Sequence, residues 1–381
     1  MTAMGGRRIL LAVLFAASPC LAAAAPPRLE IAASALDGPV ALAGAEAEAL
    51  EIPVEPGEQY PPSPKEEAVS LAAPAPAAAA VSAPPRRADW RLSVDMSVTA
   101  DSNVTNGTNL RTVPLDLGQG ALPVPVDPNL REKAGIGIGV SAAGGVRLPI
   151  AAEAALAVDV EGYALEYEGP RSDDSSGLVA AGIEFGDGKA PDGALQAIAF
   201  QRWYGGVKAL EGVGMRGNWR HPLGARSNLR LAIDARIFDS AYGDAFGGQQ
   251  ASLYVTFDSV LNPDLSVSGG LYARREWLEG DAYSSLDAGV YGGLSAFLTD
   301  DIAGGVTAGL SRTLFDEPFL LLDPDPRRDW RVYASGWLTT RNPVAWGLHP
   351  SLTYSYSRTA SSIAYFSSDR HRLRLGLQRK F

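Results

Sequence analysis

The sequence predicts an all-β protein: a transmembrane, antiparallel, up-and-down β-barrel of about 14 strands, preceded by a disordered periplasmic tail. Three observations predict this fold class. The chain begins with a stretch typical of export signals, polar and apolar residues alternate in about fourteen segments after Trp90, and the last segment ends at Phe381. A closed sheet is expected because every backbone N–H and C=O in lipid must find a partner within the protein.

Residues 1–24 are predicted to be an export signal. Arg7 and Arg8 supply the positive charge, residues 9–17 form the apolar segment, and three small alanines follow as a cleavage site. The apolar segment is shorter than the about 20 residues that a membrane-spanning helix needs. Cys20 raises the alternative of a lipoprotein signal, but the proline before it makes a poor lipobox. Cleavage after the alanines is therefore preferred, and it leaves a mature chain without cysteine.

Residues 25–87 are predicted to form a disordered periplasmic tail. The segment is rich in Ala, Pro and Glu, and nine prolines fall between positions 53 and 85. Prolines at this density break helices, and few large apolar side chains are available for a core. The tail has nine acidic and four basic residues, against 34 and 27 in the rest of the mature chain. Neither part is a basic region, so no nucleic-acid partner is expected.

Residues 88–381 are predicted to be the outer-membrane barrel. In one of its segments Leu229, Leu231 and Ile233 alternate with polar residues such as Arg230 and Asp234. Because successive side chains of a strand lie on opposite faces, each such segment has one apolar and one polar face. The predicted strands start near residues 89, 133, 151, 175, 193, 211, 227, 248, 264, 283, 301, 328, 347 and 368.

The connections between these segments are expected to alternate in length. Those near residues 148–150, 262–264 and 299–301 are short, and the long ones are at 101–132, 168–175, 240–249 and 315–328. With both ends of the barrel domain in the periplasm, every long loop would face the outside, which is the usual arrangement in outer-membrane barrels. We therefore expect the protein to be located in the cell outer membrane.

Aromatic residues mark the expected membrane boundaries. Most tryptophans fall near predicted strand ends, where an indole can meet both lipid and water. In the last strand Leu373, Leu375, Leu377 and Phe381 share the predicted lipid-facing side. We interpret Gly376, Leu377 and Phe381 as a signal for the barrel assembly machinery, which with outer-membrane lipid is an expected partner.

Charged residues occupy the predicted inner face of several strands. A rigid, water-filled wall held by opposite charges is one interpretation, and a path for a solute or a polypeptide is the other. The residues predicted to line the pore are Arg216, Arg220, Arg230, Asp234, Arg236, Arg370, Arg372 and Arg374.

The sequence offers no catalytic or cofactor-binding motif that fits its surroundings. The three histidines, His221, His349 and His371, lie on different predicted strands or turns and show no metal-binding spacing. The glycines between positions 135 and 139 superficially resemble a nucleotide-binding loop, but no helix follows. They are interpreted as small inner-face residues of a strand. No enzyme, cofactor or metal site is expected.

Short segments spread over residues 88–381 resemble the C-terminal barrel domain of the surface lipoprotein assembly modifier family. One of these segments is the ending from Ser361 to Phe381. The other segments are Asp101-Ser102-Asn103-Val104, Gln201-Arg202-Trp203-Tyr204-Gly205-Gly206, Ser311-Arg312-Thr313-Leu314-Phe315-Asp316, Arg328-Asp329-Trp330-Arg331 and Gly347-Leu348-His349-Pro350-Ser351-Leu352-Thr353-Tyr354.

The resemblance implies a barrel that assists lipoproteins, or other proteins, in reaching the cell surface, with a surface lipoprotein as a partner. Family members typically have a periplasmic helical-repeat domain before the barrel, whereas residues 25–87 contain no 34-residue helical repeat. Two alternatives therefore stay open beside translocation. One is a passive, porin-like diffusion channel with a charged lumen, and the other, disfavoured by the scattered histidines, is a barrel enzyme.

Overall fold

The computed structural model describes residues 88–116, 121–151, 153–168, 172–186, 192–320 and 322–380. The predicted export signal (1–24), the predicted tail (25–87) and Phe381 lie outside the described residues. No helix in the described ranges is long and apolar enough to cross a bilayer.

Sixteen strands contain most of the described residues, and fourteen of them form one closed antiparallel barrel. β1 pairs with β4 on one side and with β16 on the other, and this second pairing closes the barrel. The remaining two strands form a separate hairpin in the connection between β1 and β4. The bounds are β1 (Asp89–Asp101), β2 (Thr112–Asp116), β3 (Ala121–Pro125), β4 (Gly135–Ala151), β5 (Ala154–Tyr167), β6 (Asp174–Phe185), β7 (Gly193–Tyr204), β8 (Val207–Pro222), β9 (Ser227–Ser240), β10 (Gly248–Asn262), β11 (Leu265–Leu278), β12 (Ser285–Phe297), β13 (Ile302–Pro318), β14 (Pro326–Thr340), β15 (His349–Ser361) and β16 (Ser368–Lys380).

The prediction of a 14-stranded, all-β barrel is confirmed. Each expected strand start falls within four residues of an observed one, and the largest difference is at β8, which starts at Val207 rather than near 211. The alternation that predicted the strands also separates their faces. In β1, Met96 and Val98 are about half exposed, whereas Ser97, Thr99 and Asp101 are buried.

The expected alternation of loop lengths is only partly correct. We call the end of the barrel where β1 starts and β16 finishes the terminal end, and the opposite end the loop end. The 102–134 connection does lie at the loop end, but the eight-residue connection 341–348 lies at the terminal end. The connection between β7 and β8, at the loop end, has only two residues.

A two-residue turn explains the short connection at the loop end. Gly205 and Gly206 have φ angles of 58° and 80°, which glycine adopts without a steric penalty and which suit a tight hairpin. The long connection at the terminal end is held by its neighbour, since the Arg341 backbone N–H donates to the Asp301 carbonyl at 2.8 Å. The length of a connection alone therefore does not show at which end of the barrel it lies.

Candidate functional site: the inner wall of the barrel

The two faces of the barrel wall differ sharply in chemistry. On β16, Leu373, Leu375 and Leu377 are 43–58% exposed and lie on the outer face. The alternating residues Arg370, Arg372 and Arg374 make ion pairs with β1 on the inner face. Side chains from strands that are not neighbours also meet there, which is geometrically feasible only on the concave side of a curved sheet. The inner wall is therefore the candidate functional surface.

One polar network on this wall is centred on Asp159 of β5. Its buried carboxylate accepts hydrogen bonds from Arg91 at 2.5 Å, Gln196 at 2.7 Å and Arg216 at 3.4 Å. Arg216 also reaches Glu161 at 3.1 Å and donates to the Gln196 side-chain oxygen at 2.7 Å. The network thus joins β1, β5, β7 and β8 and crosses the strands between them.

A glycine makes this crossing feasible. A Cβ at Gly145 of β4 would lie 2.4 Å from the Asp159 carboxylate and 3.0 Å from Arg91 Nε. Such distances leave no room for any other residue without displacing the pair. Because Gly145 has no side chain, the inner face of β4 leaves space for the ion pair between Arg91 of β1 and Asp159 of β5.

A second network holds the seam between the first and last strands. The fully buried Asp101 side chain accepts from Arg370 at 2.6 and 3.0 Å, from Arg372 at 3.1 Å and from the Tyr167 hydroxyl at 2.9 Å. It also accepts from the backbone N–H of Asn103 at 3.0 Å. Charge-assisted bonds of this length are the stronger kind, so Asp101 ties β1, β5 and β16 together at the loop end.

Asn103 extends the same seam into the first loop. Its side chain is completely buried, donates to the carbonyl of Gly107 at 2.9 Å and of Asp369 at 3.2 Å, and accepts from the Gly107 N–H at 3.0 Å. The segment Asp101-Ser102-Asn103-Val104, which the sequence marked only by resemblance, therefore joins the end of β1 to the start of β16. Its structural role could not be read from the sequence because the partners lie more than 260 residues away.

All eight residues predicted to line the pore face the inner wall, but they do not converge on a single site. Arg236 and Asp234 pair with each other at 2.6 Å on β9, and Arg230 pairs with Asp258 at 2.8 Å. Arg220 is 3.5 Å from Asp192 near the terminal end. Arg374 pairs with Asp95 on the seam. Together with the two networks above, these contacts give each predicted arginine an acidic partner.

Aromatic rings lie over glycines of neighbouring strands on the same wall. A Cβ at Gly309 of β13 would be 2.3 Å from the Tyr333 ring, so the ring occupies the space that a side chain would need. Rings in this position lie along the wall instead of projecting into the lumen. The same relation holds for Tyr272 over Gly289, Tyr291 over Gly270, Trp337 over Gly305 and Tyr167 over Gly137. Sequence reasoning missed these pairs, although an inner-face glycine opposite an aromatic residue is a signal that could have found some of them.

Loops at the loop end pack through aromatic contacts. Short 3₁₀ turns at Asp244–Phe246, Asp281–Tyr283 and Ala364–Phe366 share one hydrogen-bonding pattern. The Phe246 and Tyr283 rings are 4.3 Å apart, Tyr283 lies 5.1 Å from Phe319, and Phe319 lies 5.5 Å from Phe366. The contacts join four successive loops on one side of the barrel mouth.

The hairpin of the first loop adds a small apolar core at this end. Val113, Val126 and Leu130 are buried together and pack against Leu322 and Tyr365 of two neighbouring loops. In the part of the chain that the structure describes, no group of three His, Cys, Asp or Glu residues could hold a metal ion. The described arrangement is thus a polar, wall-bound network beneath packed loops.

A closed barrel with an apolar outer face and a charged inner face defines an outer-membrane β-barrel, and the protein is located in the outer membrane. The family model described as surface lipoprotein assembly modifier matches residues 90–381. The chain belongs to this family.

Several solved outer-membrane proteins are similar to the chain in fold. The channel DcaP of Acinetobacter baumannii is 10% identical, with a TM-score of 0.44, covering 77% of this chain and 97% of its own. A bacterial polysaccharide outer membrane secretin is 9% identical, with a TM-score of 0.40 and coverages of 76% and 98%. Pseudomonas aeruginosa OpdK, solved with vanillate, is 11% identical, with a TM-score of 0.38 and coverages of 77% and 98%. No curated protein matches the chain in sequence.

Proposed function

We propose that this barrel assists the translocation or display of a lipoprotein at the cell surface. Family membership carries the proposal, because the match begins at the second residue of β1 and runs through every barrel strand. The part of the chain that resembles the family is therefore the complete barrel. The substrate is a lipoprotein that is exported to the periplasm and then exposed on the cell surface.

The chemistry of the inner wall supports a polar passenger. A polypeptide segment near this wall would find charged and hydroxyl groups able to replace water at its own polar groups, which limits the cost of desolvation. The arginines are already paired with acids, so the wall does not present a strong excess of one charge. Such a surface contacts a passing chain without binding it tightly.

A passive diffusion channel is the second candidate. The water-compatible wall favours it, as does the absence of a helical repeat in residues 25–87 that could receive a substrate. The aromatic rings that lie over glycines of neighbouring strands also favour it, because they occupy space along the wall. The two candidates predict different behaviour in the absence of a protein substrate.

A display assay tests the first proposal. The gene is deleted in its host, and lipoproteins encoded beside it are tagged and detected on intact cells by antibody and by protease shaving. We expect loss of surface signal at unchanged total lipoprotein, restored by the wild-type gene, while a lipoprotein of the inner leaflet stays unaffected. Equal surface signal in the deletion strain for every neighbouring lipoprotein would contradict the proposal.

Conductance in planar bilayers tests the second candidate. A diffusion channel gives a steady open-channel current from the purified barrel alone, whereas a translocation barrel that opens for its substrate gives little. A steady current together with unchanged lipoprotein display would replace the first proposal by the second.

A further inference from the structure

The outer face of β13 to β16 carries basic residues toward the loop end. On these strands Arg312, Arg328, Arg358 and His371 lie on the outer face, and Leu314 lies beyond Arg312 toward the loop end. Toward the middle of the strands, the next residues on the same outer face are Leu310, Trp330, Tyr356 and Leu373. We call Arg312, Arg328 and Arg358 the arginine arc. It lies near the loop-end limit of the lipid-facing apolar band.

The arginine arc surrounds Trp330. Arg312 lies directly opposite Trp330 in the β13–β14 register, with its guanidinium carbon 5.2 Å from the ring centre. Arg328 is two residues before Trp330 on the same face. Arg358 lies opposite Val332, the next outer-face residue after Trp330. With neighbouring strands about 4.8 Å apart, the three guanidinium groups can reach one ligand beside the indole.

These three arginines lack the acidic partners that other arginines of the barrel have. All three are exposed, and within the described ranges none forms an ion pair with a carboxylate. Asp369 lies opposite Arg358 in the β15–β16 register, but the two side chains are not within ion-pair distance. By contrast Arg275, on the outer face of β11, is bound to Asp316 at 2.8 Å. Uncompensated cations at a membrane boundary indicate an anionic partner in the membrane.

The opposite half of the barrel has the reverse charge at the corresponding level. The outer-face residues there are Glu166 on β5, Glu211 on β8 and Asp239 on β9, and Glu211 is paired with Lys208. The outer-face cations Lys208 and Arg275 are paired with acids, so in the described strands the unpaired arginines at this end lie on β13 to β15. A general attraction to anionic lipid would not require this asymmetry, whereas a localised binding site does.

A hollow of about 540 Å³ lies beside the arc on the outer face, across β15, β16, β1 and β4. Ala100, Ile136, Tyr354 and Leu373 supply most of its lining, and the polar residues Asp101, Glu168, His371 and Arg372 also border it. His371 faces Tyr356, which is two residues from Arg358, so the hollow adjoins the arc. Its mainly apolar lining suits an acyl chain, and the arc beside it suits the head group of the same molecule.

We propose that the arginine arc binds the phosphate groups of a phosphorylated, acylated glycolipid of the outer leaflet, with one acyl chain in the adjacent hollow. Guanidinium groups bind phosphate through paired, charge-assisted hydrogen bonds. Trp330 supplies the amphipathic ring that packs against a sugar at the membrane interface. The proposal does not depend on the lipoprotein role proposed above.

Native mass spectrometry of the purified barrel tests the site. We expect the wild-type protein to retain the host glycolipid, and the triple variant Arg312→Gln, Arg328→Gln, Arg358→Gln to retain about tenfold less or lower still. The triple lysine variant should retain more than the triple glutamine variant, because the charge is kept. Arg275→Gln is the matched control: it removes an arginine at the same level that is already paired, and it should leave retention unchanged. Equal retention by wild type and the triple glutamine variant would overturn the proposal, as would an equal loss in the control.

Added ligands distinguish the glycolipid from a simple anion. Delipidated barrel should bind the bisphosphorylated glycolipid, bind the dephosphorylated form about tenfold more weakly, and show no displacement by excess inorganic phosphate. Full displacement by inorganic phosphate would overturn the glycolipid assignment. A gel-shift assay on heating confirms that each variant is folded. If the triple variant does not assemble, the single variants Arg328→Gln and Arg358→Gln replace it, and wild-type retention by both would overturn the site.

Discussion

Leu375 and Arg374 are adjacent in β16 and occupy opposite faces of the wall. Leu375 is 58% exposed on the outer face, whereas Arg374 pairs with Asp95 inside. We expect Leu375→Arg to reduce the yield of assembled barrel sharply, since a cation on the lipid face near mid-membrane costs about 2–4 kcal/mol. Arg374→Leu removes an ion pair in contact with water, worth about 0–1 kcal/mol, and should be much milder. The measurement is the amount of heat-modifiable barrel in purified outer membranes, and equal yields would show that the two faces are assigned wrongly.

Gly309 and Tyr333 give a second prediction for single residues. A Cβ at Gly309 would lie 2.3 Å from the Tyr333 ring, so Gly309→Ala should destabilise the barrel by about 1–3 kcal/mol through overpacking. Gly336→Ala is the matched control, because the nearest atom to its Cβ would be 3.8 Å away. The temperature of the gel shift on heating should fall by a few degrees in the first variant and stay unchanged in the second.

A double variant separates the clash from a general effect of the mutation. In a Tyr333→Ala background, Gly309→Ala should lower the gel-shift temperature much less than it does in the wild-type protein, since the two positions interact directly. If Gly309→Ala melts like the wild type, the ring is not held against that glycine.

For single residues, the sequence predicted which face of the wall a side chain occupies but not which side chains it contacts. Period-two alternation places Arg216 and Asp234 on the inner wall, because it depends only on local strand geometry. It cannot indicate that Arg216 reaches Glu161 three strands away, or that Asp101 receives two arginines of β16. Those contacts depend on the curvature and closure of the sheet.

Inserted tags can test on which side of the outer membrane each connection between strands lies. A tag near Gln119, which lies outside the described residues in the first loop, should be reachable from outside intact cells. Tags near Asn262 and Val344 should not, because both connections lie at the terminal end. The Val344 insertion is the more demanding test, since its eight-residue loop would be placed outside by length alone. Labelling of Val344 in unbroken cells would contradict the described strand order or the orientation.

Strands were predicted better than loops for a physical reason. A strand in a barrel must present one apolar face along its whole length, so fourteen segments leave a repeated signal. Loops have no such period, and their packing depends on contacts between distant segments. The aromatic contacts among Phe246, Tyr283, Phe319 and Phe366 and the β2–β3 hairpin were not predicted for that reason.

For the whole molecule, the barrel should assemble without most of the predicted tail. All fourteen strands and the closing pairing lie within residues 89–380. A chain lacking residues 30–80 keeps the export signal and the segment before β1, so we expect a folded, heat-modifiable barrel at wild-type yield. The measurement is the gel shift of the deletion variant in isolated outer membranes. Loss of assembly would mean that the tail contributes to barrel formation.

The seam at Asp101 has a consequence for chains whose synthesis ends before β16. Its arginine partners lie 269 and 271 residues later in the chain, so a ribosome must complete nearly the whole barrel before the first strand can be closed. A product ended early by a nonsense codon would retain an unpaired edge on β1 and the Asp101 carboxylate without its two arginine partners. Only a chain that reaches β16 can therefore close the barrel and pair the Asp101 carboxylate with Arg370 and Arg372.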